Sequence, residues 1–426
     1  MSTANAQIAF YIGLKAFKRT LLNAELSTGN PGVGGTQYLF LLTVKEYNKV
    51  YGTSHALLLT DDEFGLEDVD VPTVIVGNEE NAIRYCEKEK INWLVVNANV
   101  LDRLPSSVFD TKVKIVAWAH NTLSWKRQKI ASKAKSIQRV VCVSKSQYEN
   151  MKDTPCWEKC VYINNIVPAE FCRQATVSTY ADKSAVYIGS VMPQKGVHNL
   201  LEIWRLVEKK VPNCQLYIVG SANVWNPKTK LGHTAIADVY YDRVIQRRLG
   251  RLLHPENVHF MGAKGWKDIN RLISNARVGV VNPSHYMRDE TFCMSAIEME
   301  AHGLPVVSRQ RNDGLNTSIV HSITGFLEKT DNEIAERLAG LLLDENICKQ
   351  MGEAAKEYAM KFVPRNEIYK WKTIVDDSQC SIVCKTNGML ISDDARLLLH
   401  DFVLKLGFLL ESGKWIELLL NKLRRK

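Results

Sequence analysis

The sequence predicts an α/β protein with two doubly wound, Rossmann-like domains and a helical C-terminal tail. Three observations lead to this fold class. The 426 residues exceed the roughly 250–300 residues at which a single core stops growing. Short apolar runs alternate with helical stretches along most of the chain. These runs are almost entirely apolar, which is typical of parallel strands that are covered on both faces of the sheet.

The N-terminal half contains one series of strands and helices, which we assign to a domain of residues 1–175. An apolar strand at 7–12 is followed by a polar, glycine-rich loop at 27–36 and by helical periodicity over 37–47. Further strands are predicted at 56–60, 73–76, 93–96, 113–118 and 140–143. This alternation is typical of a doubly wound sheet.

A polar stretch at 173–183 precedes a second series, which we assign to a domain of residues 183–362. A helix at 197–209 is amphipathic, and another helix is expected to end at Gly303, since a glycine followed by Pro305 is a stop signal. Ligands of such sheets bind beyond the carboxyl ends of the strands, so a cleft between the domains is the expected site. The predicted strands lie at 185–188, 215–219, 258–261, 278–281 and 305–308.

The remaining residues, 363–426, are predicted to form a helical tail that packs back on the N-terminal domain. Apolar residues recur with helical spacing at 395–410 and 415–423, and the last five residues are Lys422-Leu-Arg-Arg-Lys426. One interpretation is a packed helix pair with a solvated basic end. The other is a contact with an anionic membrane surface.

Composition and charge exclude several classes of protein. With 46% hydrophobic and 24% charged residues, the chain is neither disordered nor collagenous. The formal net charge of +9 permits anionic partners, but no nucleic-acid-binding motif accompanies it. No secretory signal or membrane-spanning run is recognisable, so we expect a cytoplasmic protein, peripheral on the inner membrane face if the tail binds lipid.

The ten cysteines fit a cytoplasmic protein as free thiols. Two close pairs, Cys156 with Cys160 and Cys380 with Cys384, could in principle form a zinc site. Their spacing is C-x3-C, whereas zinc knuckles use C-x2-C, so we expect no metal there.

The segment 279–307 contains the most informative pair of acidic residues. Glu290 and Glu298 are eight residues apart, which predicts that Glu290 lies where a loop enters a helix and that Glu298 lies about two turns along, on a broadly similar face. Backbone N–H groups at the start of this helix are suited to binding a phosphate. Such a pair also occurs by chance on a solvated helix face, so the pair alone does not identify a binding site.

The order of motifs around this pair resembles the C-terminal domain of the retaining glycosyltransferases of family 4, which have the GT-B fold. Gly189-Ser-Val-Met-Pro-Gln-Lys-Gly196 and Ile218-Val-Gly220 follow strands, Val258–Gly262 comes next, and Gly325-Phe-Leu327 lies beyond the acidic pair. The resemblance is close over about residues 185–327 and looser in the N-terminal half. It implies a GT-B-like fold in which two Rossmann-like domains face each other across a cleft.

The N-terminal half adds further matches to this family. Gly34 and Gly35 resemble its glycine loop, and His120, at a predicted strand end, resembles its cleft histidine. Val143-Ser144 resembles a strand end of the family, and Ile163-Asn-Asn-Ile166 resembles the segment before the interdomain linker. The alternatives are a structural turn at the two glycines and a satisfied core histidine at position 120.

The resemblance implies a role for each residue in transferring a sugar from a nucleotide diphosphate donor. Lys195 would contact the departing diphosphate, Glu298 would accept hydrogen bonds from the donor ribose, and Glu290 and His120 would contact the donor sugar. No metal and no cofactor is implied, because the nucleotide-sugar is a substrate. The catalytic candidates are thus His120, Lys195 and Glu290, and the donor-binding candidates are Gly34, Gly35, Gly189, Ser190, Lys195, Gly220, Phe292, Cys293, Met294, Ser295 and Glu298.

Three positions depart from the family pattern. Ser190 stands where an arginine is common, Cys293 stands where glycine is usual, and Asn165 replaces another usual glycine. Arg288 is a candidate replacement for the missing cation. These departures affect the expected contacts with the diphosphate.

The leading hypothesis is a retaining glycosyltransferase that moves a hexose-type sugar to a hydroxyl of a glycan or lipid-linked acceptor, in cell-surface polysaccharide or lipopolysaccharide assembly. A non-catalytic nucleotide-sugar-binding assembly subunit is an alternative that Ser190 and Cys293 favour. A nucleotide-sugar epimerase is another, since epimerases can share the fold. A dinucleotide dehydrogenase is disfavoured because Gln37 occupies the third glycine position of the fingerprint.

Overall fold

The computed structural model describes residues 6–17, 21, 25–63, 70–223, 228–285, 290–311 and 313–376. The chain divides into two units. The first unit comprises the described residues of Met1–Gln174, Glu290–Met294 and Met360–Leu390. The second comprises those of Ala175–Asp289 and Ser295–Ala359.

A seven-stranded parallel sheet, with strand order β3-β2-β1-β4-β5-β6-β7, forms the centre of the first unit. Its strands are β1 (Ile8–Tyr11), β2 (Ala56–Thr60), β3 (Thr73–Ile75), β4 (Trp93–Asn97), β5 (Lys114–Ala119), β6 (Ile137–Cys142) and β7 (Cys160–Tyr162).

A six-stranded parallel sheet, with strand order β10-β9-β8-β11-β12-β13, forms the centre of the second unit. Its strands are β8 (Ser184–Ile188), β9 (Gln215–Val219), β10 (Val258–Gly262), β11 (Val278–Val281), β12 (Val306–Arg309) and β13 (Gly325–Glu328). Together with the first sheet, this arrangement confirms the predicted α/β fold class.

Helices connect the strands in both units. In chain order they are α1 (Gly35–Tyr51), α2 (Glu79–Lys88), α3 (Trp125–Lys133), α4 (Lys145–Asn150), α5 (Ala169–Gln174), α6 (Val197–Val207) and α7 (Val239–Leu249). They continue with α8 (Trp266–Ile273), α9 (Met294–Ala301), α10 (Leu315–Ser318), α11 (Asp331–Leu343), α12 (Glu345–Ala359) and α13 (Pro364–Val375). None of these helices combines the length and apolar character needed to cross a bilayer.

The strands predicted from apolar runs are present, with ends that shift by at most three residues. The expectation that both faces of every strand are covered is wrong for β3. This strand lies at the edge of its sheet, and Thr73 and Ile75 on one of its faces are exposed. Two short strands, β7 and β13, were not predicted, because three or four partly buried residues do not form a distinctive apolar run.

Side-chain caps define several helix starts. Ser124 accepts a hydrogen bond from the N–H of Arg127 at the start of α3, and Asp238 caps α7. At α11, Thr330 and Glu333 form a reciprocal capping box. Apolar spacing identifies only the part of a helix that packs against the core. Helix α1 therefore extends beyond the predicted range of 37–47 at both ends.

The start of the predicted tail is helix α13, which packs within the first unit. The ring of Trp371 lies 5.2 Å from that of Phe10 and 4.8 Å from that of Trp118. The indole N–H of Trp93 donates to the carbonyl of Val375. The packing predicted for the rest of the tail stays a prediction, because 395–410, 415–423, Lys422–Lys426, Cys380 and Cys384 lie outside the described residues.

Candidate functional site

Two predicted donor-binding glycines lie at neighbouring strand ends of the second sheet. Gly189 follows β8 and Gly220 follows β9, and these strands are paired. Gly220 has a φ of 138°, and a Cβ added there would lie 1.8 Å from the carbonyl oxygen of Gly189. Both the backbone conformation and the close approach therefore require glycine at position 220.

Lys195 lies in the loop that joins β8 to α6. It ends a short 3-10 turn, and the next residue, Gly196, has a φ of 81°. A Cβ at Gly196 would lie 2.4 Å from the backbone of Ser284, which follows β11. Because β8 and β11 are neighbours in the sheet, this contact fixes the lysine loop at the carboxyl edge, where ligands of such sheets bind.

Ser190 lies in the same loop, next to Gly189. Its carbonyl accepts a hydrogen bond from the phenol of Tyr187 at 3.1 Å. Ser190 is half-buried. This contact holds the loop at the point where it leaves the strand. The family pattern often has an arginine at this position, and Ser190 supplies no positive charge in its place.

Glu298 lies in the second turn of α9, in the second unit. Its side chain is 8% exposed, and burial raises its pKa to about 8. Within the described part of the chain, no group donates a hydrogen bond to its carboxylate. A buried carboxyl without a donor is costly unless it is protonated or bound to a ligand.

Glu290 precedes α9 and does not belong to it. The helix begins at Met294, so the prediction that Glu290 and Glu298 share a helix face is wrong. The segment Glu290–Met294 groups with the first unit, where Thr291 Oγ1 donates to the carbonyl of His120 at 2.7 Å. Tertiary contacts therefore decide the conformation of the residues before the helix.

The other candidates in this segment are packed or lie at the helix start. Phe292 is buried, and its ring lies 5.3 Å from that of Phe362. Cys293 is also buried, while Met294 and Ser295, the first two residues of α9, are half-buried. The predicted binding of a phosphate at this helix start stays a prediction.

His120 follows β5 in the first unit, at the carboxyl edge of that sheet. Its side chain is 9% exposed, and burial lowers its pKa to about 3. The ring lies 4.4 Å from that of Trp118, and Nε2 has no hydrogen-bond partner within the described residues. The histidine is therefore buried and neutral at physiological pH. The alternative of a core histidine requires a hydrogen-bond partner for Nε2, and the described residues provide none.

Gly34 and Gly35 form the N-terminus of α1. Gly34 has a φ of −59°, which any residue adopts, and the space around a Cβ at Gly35 is empty to 4 Å. Backbone conformation therefore does not require glycine at position 34, and no close contact within the described chain requires it at position 35. The ligand-binding role of both glycines stays a prediction.

Two arginines at the carboxyl end of β12, Arg309 in its last position and Arg311 just beyond, belong to this edge and were not predicted from the sequence. Arg309 is buried, donates to the carbonyl of Pro283, and pairs with Asp331. Arg311 donates to the carbonyl of Ser284 at 2.7 Å. Two arginines directly after an apolar strand were the available signal. The predicted substitute cation, Arg288, lies outside the described residues.

A second acidic residue of α9 was also missed. Glu300 is completely buried, and burial raises the pKa of its carboxyl well above the usual range. It follows Glu298 by two residues and therefore points away from it around the helix. Both of its carboxyl oxygens are buried and have no hydrogen-bond partner among the described residues, which favours the protonated form in the folded protein.

The described residues include no cluster of three or more His, Cys, Asp or Glu side chains that could hold a metal ion. Cys156 and Cys160 are buried free thiols, and the thiol of Cys160 donates to the carbonyl of Cys156. The expectation that the reaction needs no metal stays a prediction.

Comparison with known proteins identifies one domain. Residues 170–358 match the model of glycosyl transferases group 1. This part of the chain is therefore a group 1 glycosyltransferase domain. The match contains Lys195 and both members of the acidic pair, Glu290 and Glu298. Membership of family 4 and the retaining mechanism remain predictions.

Curated relatives match parts of the chain. Trehalose synthase of Pyrococcus horikoshii is 27% identical over 175 residues, which are 40% of this chain and 37% of that protein. An uncharacterized glycosyltransferase of Haemophilus influenzae is 20% identical over 66% of this chain and 75% of its own length. The capsular polysaccharide biosynthesis glycosyltransferase CapM of Staphylococcus aureus is 26% identical over 40% of each chain. The chain thus spans little more than a third of the trehalose synthase that it matches.

Solved structures extend the likeness to both units. HepE of Anabaena in complex with UDP has a TM-score of 0.66 at 16% identity, covering 87% of this chain and 100% of that one. Sucrose-phosphate synthase of Thermosynechococcus elongatus has a TM-score of 0.65 at 15% identity, covering 87% and 98%. At such identities the likeness shows the fold alone, and it confirms the predicted GT-B-like class.

Proposed function

We propose that the protein is a retaining glycosyltransferase that transfers a sugar from a nucleotide diphosphate-sugar to a hydroxyl of a glycan or lipid-linked acceptor. The observation that carries this proposal is Glu298, a buried carboxyl with no donor among the described residues, on a helix of the group 1 domain. The two oxygens of such a carboxylate can accept hydrogen bonds from a ligand that has two adjacent hydroxyls.

In this proposal Glu298 binds the donor ribose. A carboxylate accepts hydrogen bonds through both of its oxygens, which suits the neighbouring 2′ and 3′ hydroxyls of ribose. Hydrogen bonds to a charged acceptor are stronger than those between neutral groups. Burial raises the pKa of Glu298 to about 8, so donor binding to the carboxylate form releases a proton at neutral pH.

Lys195 is proposed to stabilise the departing diphosphate, which gains negative charge as the bond to the sugar breaks. Gly196 holds its loop against Ser284, and Arg311 donates to the carbonyl of that serine. Arg311 therefore brings a second positive charge to the loop after β11, which contacts the lysine loop. We propose that Arg311 compensates for the serine at position 190.

The reaction exchanges one carbon–oxygen bond for another. The bond between the anomeric carbon and the diphosphate breaks, and the acceptor hydroxyl forms a new bond on the same face of the sugar. The hydroxyl proton passes to an oxygen of the departing diphosphate. We propose that Glu290 holds the donor sugar and that His120 contacts it as a neutral imidazole, since burial lowers the pKa of His120 to about 3. We propose no metal and no cofactor.

Two comparisons guide the choice of substrates. Structures of HepE in complex with UDP and with UDP-glucose share the fold, so uridine diphosphate-sugars are the first donors to test. CapM is named for capsular polysaccharide biosynthesis, which supports an acceptor in cell-surface polysaccharide or lipopolysaccharide assembly. A lipid-linked acceptor would place the reaction at a membrane surface.

The experiment is a panel of nucleotide diphosphate-sugars, scored first by the shift in melting temperature and then by donor consumption with a panel of acceptors. We expect one donor to stabilise the wild-type protein and to be consumed only when an acceptor is present. The linkage of the product, determined by NMR, tests retention. A protein that binds no donor, or whose binding is unchanged in Glu298→Ala, would contradict the proposal.

The same experiment separates the alternatives. A non-catalytic assembly subunit would bind a donor without consuming it with any acceptor. A nucleotide-sugar epimerase would convert the donor to its epimer in the absence of acceptor.

A further inference from the structure

The positive charge of this protein is concentrated in one segment of the first unit. Residues 111–148 contain nine Lys and Arg and no Asp or Glu. The formal net charge of the whole 426-residue chain is +9, so this segment alone accounts for the excess. The segment includes β5, α3 and β6, and helix α3 lies at its centre.

Helix α3 has two different faces. One face packs inward through Gln128 and Ala131, which are buried. The other face carries Trp125, Lys126, Lys129 and Lys133, which are all exposed. Residues at spacings of three and four lie on the same side of a helix, so these four side chains form a stripe about 12 Å long. We name these four residues the basic stripe.

The lysines of the basic stripe are not held in close ion pairs, although Lys126 interacts electrostatically with the carboxylate of Asp102. Within the described residues, none of the three forms an ion pair. By contrast, Arg127 on the same helix is half-buried and pairs with Asp102 at 2.9 Å. Lys126 donates to the backbone carbonyl of that aspartate, and Lys129 lies 5.4 Å above the ring of Trp125. Arg127 anchors the helix, and the stripe points its charge to solvent.

Trp125 adds an apolar group at one end of the stripe. Its side chain is 53% exposed at the first position of α3. An exposed indole beside lysines is typical of surfaces that meet the headgroup region of a bilayer, where one side of the ring is apolar and the N–H stays solvated. The hydrophobic contribution of burying it comes in addition to the electrostatic attraction of the lysines.

We propose that the basic stripe docks the protein on an anionic phospholipid surface. Lysines near such a surface each contribute to binding through the negative potential of the headgroups. The stripe lies on the convex side of a single helix, which fits an extended flat surface. A polyanionic chain would instead be expected to follow a groove lined by cations. Because the helix buries its other face in the unit, it lies on the surface and does not insert.

The test is sedimentation of the full chain with lipid vesicles. Vesicles of phosphatidylcholine alone are compared with vesicles that also contain ~30% phosphatidylglycerol as the anionic lipid. Both kinds of vesicle are tested at low and at high salt. We expect binding only to the anionic vesicles, weakened by salt. The triple variant Lys126→Gln, Lys129→Gln, Lys133→Gln should lower the partition coefficient about a hundredfold, at about fivefold for each lysine. Trp125→Ala should lower it several-fold without changing the charge.

A matched control removes the same charge elsewhere. Lys209, Lys210 and Lys349 are exposed residues of the second unit, and changing all three to Gln removes an equal charge. We expect this control to bind vesicles within about twofold of the wild type, since its lysines lie outside the stripe. Far-UV circular dichroism checks that all variants are folded.

Two outcomes would overturn the proposal. One is equal loss of binding in the stripe variant and in the control, or no loss in either, which would assign any vesicle binding to other parts of the chain. The other is binding to a soluble polyanion such as heparin, dependent on the stripe, with no binding to anionic vesicles. Neither outcome depends on donor consumption, so the docking can fail while the proposed glycosyl transfer stands, and the reverse.

Discussion

The carboxyl edges of the two sheets present their candidate residues in different ways. In the second unit the backbone is tightly constrained, because Gly220 touches Gly189 and Gly196 touches Ser284. In the first unit no described atom lies within 4 Å of a Cβ at Gly35, the first residue of α1, and the conspicuous group is the neutral, buried His120. The backbone of the second edge is therefore specified by its own packing, whereas position 35 of the first edge has no such packing constraint among the described residues.

The largest effect is expected where the second edge is tightest. Gly220→Ala should destabilise the protein by about 2–5 kcal/mol, because the left-handed φ is strained for alanine and the new methyl group would overlap the carbonyl of Gly189. Urea unfolding measures the loss. Gly35→Ala is the matched control in the first unit, where stability should change by less than about 1 kcal/mol. A stable Gly220→Ala variant would remove the contrast between the two edges.

The next effect concerns the buried carboxyl of the second edge. Glu298→Gln should weaken donor binding by roughly 10- to 100-fold, since it removes hydrogen bonds to a charged acceptor. Because burial raises the pKa of Glu298 to about 8, wild-type affinity should rise with pH up to about 8 and then level off. Isothermal titration calorimetry between about pH 6 and 9 tests this. The Gln variant should show no such rise, and an equal rise in both proteins would argue against this role.

The corresponding test of the first edge is His120. His120→Gln should lower the rate of donor consumption by about tenfold, if a neutral imidazole contributes one hydrogen bond to the sugar. Burial lowers the pKa of His120 to about 3, so His120 should not titrate near neutral pH. The pH–rate profiles of the wild type and the variant should therefore have the same shape near pH ~6.5. A limb in this range that is present in the wild type and absent from the variant would mean that His120 titrates near neutrality.

The smallest effect on donor binding is expected at Glu300, which lies on α9 and is completely buried. Burial raises the pKa of Glu300 in the folded state, so its protonated form contributes stability that is complete below the unfolded pKa, near 4.5, and declines as the pH rises. Glu300→Gln should match the wild type at acidic pH and be more stable at alkaline pH, with a slope of at most about 1.4 kcal/mol per pH unit. Unfolding across pH tests this, and unchanged donor affinity would separate Glu300 from Glu298.

The sequence predicted much of the fold because apolar runs report burial directly. Strands β2 and β11 have their predicted bounds, since each is a continuous buried run between polar residues. The edge strand β3 and the short strands β7 and β13 were described incorrectly or missed, because partial burial leaves a weak pattern. Helix ends were shifted where the terminal turns are polar.

The candidate site was predicted in part. The glycines after β8 and β9 were singled out from the family resemblance, and the structure supplies the reason, a backbone contact between them. Periodicity failed at Glu290, because it assumes a helix that in fact begins at Met294. Arg311 was missed, since the contact between its guanidinium and Ser284 joins residues 27 positions apart and has no local signature.

The sequence by itself determined the two α/β series, the order of the group 1 motifs and the acid-free segment that holds the excess of positive charge, since each is a property of local residue order. Only the tertiary structure decided which charges are neutralised and which carboxyls lose their solvent. Burial and pairing depend on residues that are distant in the chain. Arg127 is paired while Lys126, Lys129 and Lys133 are exposed, and Glu298 keeps 8% of its surface exposed while Glu300 is completely enclosed, because folding gives neighbouring side chains different surroundings.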